Sequence, residues 1–247
     1  MRDRIWKILP PAIFWLGVWW LCAAGVGKEL LLPSPAAAFH ALLTLASTEG
    51  FWRSVLMSLG RVSLGFLLGV GLGSLLGVVT AAWRWGEALV SPAIRGVRTV
   101  PVVAFILLLY FWLPMGWVPT AAAALMALPV AWRAARQGID DADPQLLELA
   151  RAYDMGLWRK VRYIYLPAAV PALAAGWETA LGLAWKSGVA AEVLCQPKWG
   201  LGTGLQSAKA YLDAPGLFAW TMAVVGLSLL MEALLKGIFR FRKGGRQ

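Results

Sequence analysis

Six apolar runs dominate the sequence, at about 10–26, 59–83, 92–112, 117–135, 167–194 and 215–237. A helix needs about 20 apolar residues to cross the ~30 Å hydrocarbon core of a bilayer, and the runs are close to that length. Only 15% of the 247 residues are charged and 60% are hydrophobic. A water-soluble domain carries about 25% charge, so a bilayer is the simpler solvent for this chain. The runs predict an all-α membrane protein with six transmembrane helices. Residues 1–247 read as a single transmembrane domain, with an N-terminal span at about 10–26, core spans over about 59–237 and a polar insert at about 136–165.

The formal net charge is +10. In a soluble protein that balance would point to nucleic acid. Here the basic residues sit in blocks beside the apolar runs and report orientation instead, so no nucleic-acid partner is expected. With the N-terminus in the cytoplasm, 17 of the 23 basic residues face inward, among them Arg2, Arg4, Lys7, Arg84, Arg95, Arg98, Arg133 and the tail from Arg240. Lys28, Arg53, Arg61, Lys186, Lys198 and Lys209 fall outside or in the membrane. An even number of spans puts both termini in the cytoplasm. Arg2, Arg4 and Lys7 before the first run, and Ala23-Ala24-Gly25 after it, have the shape of a secretory signal. The tryptophans in the run and the spans that follow favour a retained anchor. Cys22 and Cys195 have no metal-ligand spacing and read as packing residues.

Between the first two spans, Pro33-Ser34-Pro35 predicts a turn and Ala36–Ser47 a short amphipathic helix. In the second span Gly65, Gly69, Gly73 and Gly77 recur every four residues on one helix face, where another backbone can approach closely. Packing against a helix of the same chain is favoured over a contact between subunits. A Gly-rich loop is expected over 196–213.

The insert is too polar to span and too long for a plain connector. Asp143-Pro144 reads as an N-cap with proline in the first turn, and Leu146, Leu147, Leu149 and Ala150 supply an apolar face. The helix should stop near Asp154–Gly156, and a second, Leu157–Tyr165, should end at Leu166-Pro167 where the fifth span opens. The prediction is a cytoplasmic helix–turn–helix that docks to another molecule.

Glu148-Leu149-Ala150, Asp154-Met155-Gly156 and Ile164-Tyr165-Leu166-Pro167 resemble the EAA loop of binding-protein-dependent ABC transporter permeases. Glu148, Ala150, Ile164, Leu166 and Pro167 match in register. Leu149 replaces an alanine, and the family glycine falls on Asp154, with Gly156 two residues later. A glycine there serves a left-handed turn, a region aspartate tolerates better than most residues. Arg98-Thr-Val-Pro101, Asp143-Pro-Gln-Leu-Leu-Glu148, Leu181-Gly-Leu-Ala-Trp185 and Ala191-Glu192 resemble the nitrate/sulfonate/taurine-type subfamily, over roughly residues 55–240.

The resemblance implies the type I importer permease fold in a plasma or inner membrane. It also implies a second permease copy as a homodimer, two ATP-binding cassette subunits and an extracytoplasmic solute-binding protein. In that family the loop bearing Glu148, Ala150, Asp154, Gly156, Ile164, Leu166 and Pro167 couples to the ATPase. The implied solute is small, of the class of a sulfonate, nitrate or related anion. The chain lacks a G-x-x-x-x-G-K-[ST] phosphate loop; its nearest approach is Gly25-Val-Gly-Lys28 followed by Glu29. ATP and magnesium would therefore bind the partner ATPase, and no cofactor is expected in this chain.

Charges inside a bilayer are costly and face a cavity, the bundle interior or a partner. Glu178, Trp185, Lys186 and Glu192 in or near the fifth span are the candidates for the translocation path. Glu178 and Lys186 are over two turns apart and should not pair. Arg95 and Arg98 are expected to snorkel at the membrane boundary. Trp6, Trp83, Trp85, Trp112 and Trp117 mark span ends, as an interfacial belt does, whereas Trp177 and Trp185, eight apart in the fifth span, either line the pathway or pack in the core, packing being the commoner reason for such residues. No nucleophile–base pair, metal cluster or paired carboxylates appears in one predicted pocket, so no catalytic residue is assigned. The rival readings are a secondary transporter or channel, and an intramembrane enzyme using Glu178, Glu192 or His40.

Overall fold

The computed structural model describes residues 2–83 and 85–244, and among them the regular structure is helical. In chain order the helices are α1 (Arg2–Val26), α2 (Pro35–Ala46), α3 (Glu49–Ala82), α4 (Gly86–Thr99), α5 (Val102–Trp112), α6 (Val118–Asp140), α7 (Pro144–Ala152), α8 (Leu157–Lys160), α9 (Leu166–Cys195), α10 (Leu201–Ala210) and α11 (Ala214–Gly244). Arg84 and the side chains of Arg2, Arg4, Trp6, Lys7, Arg240, Arg242, Lys243 and Arg246, which enter the orientation and belt arguments, lie outside the described set.

Local chemistry sets the helix starts. Ser34 Oγ accepts from the Ala37 N–H at 3.1 Å with Pro35 in the first turn, and Thr48 Oγ1 accepts from the Phe51 N–H at 3.3 Å. The second cap puts the start of α3 ten residues before the expected span, so α3 runs 34 residues, much of what reads as loop before residue 55.

α6 is the central helix. Its neighbour α3 meets it through the four-residue glycine stripe: Gly65 faces Thr120, Gly69 Ala124, Gly73 Leu128 and Gly77 Trp132. A Cβ at Gly69 or Gly77 would stand 2.6 Å from the carbonyl oxygen opposite, so any side chain would push the helices apart. Each glycine costs about 1 kcal/mol of helix propensity relative to alanine, and the backbone approach is what it allows. The register rises together on both helices, so α3 and α6 run the same way. On the other side Gly138 meets Ala169 and Gly176 meets Ala134, so α9 runs antiparallel to α6. Val62, Phe66, Val70, Ala127, Leu181 and Trp185 fill the core between these three helices.

Among the described residues, four helices are long and apolar enough to cross a membrane: α1, α3, α6 and α11. The expected third span is not straight. It breaks at Val100-Pro101 into α4 and α5, which meet at 103°. Pro101 has no N–H to continue the α4 ladder and holds Val100 extended, at ψ 132°. α9 has 30 residues but carries Glu178, Lys186 and Glu192 within them. The expected Gly-rich loop 196–213 contains α10. Cys195 is buried as expected, but Cys22 is exposed on α1 and does not pack in the core.

Candidate coupling and translocation site

The insert begins where Asp143 Oδ1 accepts from the Gln145 N–H at 2.8 Å and Pro144 opens α7. Ala150 and Ile164 are buried with Ala142 in a small core of their own, joined by Leu147, Met155 and Ala168. After α7 the Met155 N–H bonds the Ala150 carbonyl at 2.9 Å and Asp154 sits at φ 48°, in the left-handed region. Asp154 therefore makes the turn that a glycine would make most easily. Gly156 is extended at φ −62°, and its carbonyl accepts from the Lys160 N–H to start α8.

Two expectations about the insert need correction. The apolar face of α7 is narrower than the sequence suggests: Leu147 and Ala150 turn inward, but Leu146 and Leu149 are exposed, as is Tyr153 at 77%. And α8 does not end at Leu166-Pro167. A π-helical turn, Val161–Tyr165, joins it to α9 as one continuous helix. Pro167 cannot donate to a helical ladder and crowds the preceding turn. The wider turn, closed by the Leu166 N–H on the Val161 carbonyl, relieves that crowding just before it. Leu166 and Pro167 thus lie inside the rod that links the insert to the bundle, and Glu148 projects from the exposed side of α7.

A groove of about 580 Å³ opens between the α4–α5 elbow, α6 and α9. Its walls are apolar apart from Arg98, Arg133, Gln137 and Thr179. No carboxylate lines it among the described residues, so the charged side chains on its walls are both basic. The α9 wall is formed by Ala172, Gly176, Thr179 and Leu183. Lys186 continues that row: at 100° per residue it lies about 20° from Thr179, one turn beyond Leu183, and it is exposed.

The other three path candidates are elsewhere. Trp185 is buried, and its Nε1–H donates to the Val224 carbonyl at 3.2 Å. Glu178 reaches Lys236 of α11 at 3.8 Å, on a different side of α9 from the groove. Glu192 is 0% exposed and fully occupied. It accepts from Ser58 Oγ at 2.6 Å, from the Gly202 N–H at 3.1 Å and from Arg61 at 3.2 Å. Arg61 also donates to the Trp199 carbonyl, and Ser58 Oγ accepts from the Leu201 N–H at 2.8 Å. Gly200 and Gly202 have no room for a Cβ beside this carboxylate. The network pins the start of α10 onto α3 and α9, which makes Glu192 a structural clamp in this conformation.

Sequence reasoning missed Arg133 and assigned Arg98 to snorkelling. The available signal was the spacing of Met126, Val130, Arg133 and Gln137, which puts a basic residue on one apolar face of α6.

Residues 69–243 match the family model described as "Binding-protein-dependent transport system inner membrane component". The chain belongs to this family. The permease is 29% identical to the putative aliphatic sulfonates transport permease protein SsuC of Bacillus subtilis, over 93% of this chain and 86% of the relative. It is 27% identical to the taurine transport system permease protein TauC of Escherichia coli, over 91% and 84% of the two chains. It also shares its fold, at TM-score 0.68, 17% identity and 96% coverage of both chains, with a chain of a bacterial ABC transporter involved in the import of the acidic polysaccharide alginate. The permease is thus a multi-pass transport subunit and not an enzyme, and its family implies an ATPase partner. The secondary-transporter, channel and intramembrane-enzyme readings fall away.

Proposed function

We infer that this permease imports a small anion, a sulfonate or a chemically similar solute, and that α7 and α8 couple it to two cytoplasmic ATP-binding cassette subunits. ATP and magnesium bind those subunits. The permease works as a homodimer in a plasma or inner membrane, with both termini cytoplasmic and a solute-binding protein docking on the outer face. The observation that carries the reading is the groove bearing Arg98 and Arg133, continued by Lys186, with no acid on its walls. Such a row offers charge-assisted hydrogen bonds to an anion after it leaves water.

On the cytoplasmic side the ATPase face consists of Glu148 with the exposed Leu146, Leu149 and Tyr153 of α7. The small core around Ala150 and Ile164 holds α7 to the rod, and the rod runs into the groove wall. A push on α7 is transmitted to Thr179 and Lys186 as a rigid displacement, by hinge or shear motion of packed helices.

The test is uptake into proteoliposomes containing the permease, its ATPase and its binding protein, with radiolabelled taurine and alkanesulfonates as probes. Arg133→Gln is expected to raise the apparent KM about tenfold, the equivalent of one charge-assisted contact of roughly 1.4 kcal/mol. Unchanged uptake in both Arg133→Gln and Lys186→Gln would remove the groove from the path.

A further inference from the structure

Outside the groove, the Arg136 guanidinium of α6 reaches the ends of three helices. Its Nη1–H donates to the Thr80 carbonyl at 3.1 Å. Nη2 stands 2.9 Å from Glu87 Oε2 in the first turn of α4, and Nε stands 3.7 Å from Asp140 Oδ2 in the last residue of α6. Thr80 lies in the last turn of α3, where carbonyls run out of helical N–H partners, so the arginine also closes that helix end. One turn earlier on α6, Trp132 Nε1–H donates to Thr80 Oγ1 at 3.0 Å. The same stretch of α6 presents Arg133 and Gln137 to the groove.

α4 is an arm with few other holds: Gly86 and Ile94 are its buried residues. Gly86 rests on the end of α3, where a Cβ would come 2.9 Å from the Thr80 Cα, and this contact is a natural pivot. The chain leaves the helical path on both sides of the arm, at Trp83 with ψ 120° and at the Val100-Pro101 elbow. Arg98 on the groove wall lies about 16 Å beyond Glu87 along the arm, at 1.5 Å per residue. A tilt of about 15° at the pivot would carry it about 4 Å, more than the length of a hydrogen bond. We propose that Arg136 is a positioning residue for transport: paired with Glu87, it fixes the tilt of α4 and so the place of Arg98 in the groove. Through Asp140 it also ties that wall to the base of the insert, since Asp141 Oδ1 accepts from Gln137 Nε2 at 2.8 Å and Asp143 caps α7. The α8–α9 rod carries motion of the insert to the α9 wall, and Asp140, Arg136 and Glu87 carry it to the α4 wall. The transport role rests on the groove being the anion's path, as proposed above; the hold on α4 does not.

Glu87→Lys tests this by setting like charges face to face. The Glu87 side chain is 54% exposed, and an exposed pair adds little to stability, so the variant is expected to melt like its parent. Spin labels at Gly71→Cys on α3 and Gly96→Cys on α4, where a side chain meets no neighbour, read the arm in a Cys22→Ser permease diluted with unlabelled copies in nanodiscs. The distance between them is expected to shift or broaden by about 4 Å in Glu87→Lys, and likewise in Arg136→Gln. In the reconstituted transporter, Glu87→Lys should raise the apparent KM for taurine about fivefold, and should add nothing in an Arg98→Gln background, because both act through one side chain. An unmoved distance would overturn the proposal. So would KM effects of Glu87→Lys and Arg98→Gln that multiply, or a wild-type KM in Glu87→Lys when Arg98→Gln alone raises it. A wild-type KM in Arg98→Gln would instead refute the groove as the path, and the spin-label distance would still decide whether Arg136 holds α4.

Discussion

Glu192 shows how a charge is kept inside this bundle: one carboxylate of α9 takes donors from two other helices, Ser58 and Arg61 of α3 and the Gly202 N–H in the first turn of α10. The Arg61 side chain is only 13% exposed, and breaking a buried pair by removing one partner costs about 3–5 kcal/mol. Glu192→Ala is therefore expected to lower the melting temperature in detergent by roughly 6 °C or more. Glu192→Gln, which still accepts from Ser58 and Gly202, should lose less. An alanine variant that melts with the wild type would contradict the clamp. Asp154 makes the second residue-scale test. At φ 48° a β-branched side chain is strained by about 1–2 kcal/mol, and glycine is not. Asp154→Gly should keep full transport, and Asp154→Val should lower both transport and melting temperature. The left-handed turn was legible from the mismatch at residue 154 alone. The clamp was not, because nothing local in the sequence ties Glu192 to Ser58 or Arg61, more than 130 residues away.

At the scale of elements, periodic signals survive folding and long-range closeness does not announce itself. The glycine stripe of α3 reads directly from spacing, and its partner face on α6 is equally regular. Gly69→Val is expected to destabilise the bundle by about 1–3 kcal/mol through overpacking, measured as thermal melting of the purified permease, while the same change at Gly71, which meets no neighbour, should cost less. Equal losses at the two positions would contradict the α3–α6 contact. Two elements resisted reading. The 92–112 run is apolar apart from Arg95, Arg98 and Thr99 in its first half, so hydropathy saw a span where Pro101 makes an elbow. Pro167 reads locally as a helix stop, but packing of Ile164 and Ala168 against the insert holds the rod together and a π-helical turn absorbs the misfit.

At the scale of the molecule, one rod connects the insert to the groove. The exposed apolar side chains of α7 lie at one end of it, and the cationic row that includes Lys186 lies along the other. The insert was legible because polarity between apolar runs is a strong contrast; the groove was not, because Arg98 and Arg133 look like ordinary boundary charges until three helices bring them together. The most direct test of the account is ATP hydrolysis by the assembled transporter in proteoliposomes, with the loaded binding protein present. Glu148→Lys combined with Leu149→Asp changes only the exposed side of α7. The variant permease is expected to insert and melt like the wild type while stimulated hydrolysis and uptake both fall at least tenfold. Wild-type hydrolysis and uptake in that variant would contradict the claim that α7 is where the ATPase takes hold.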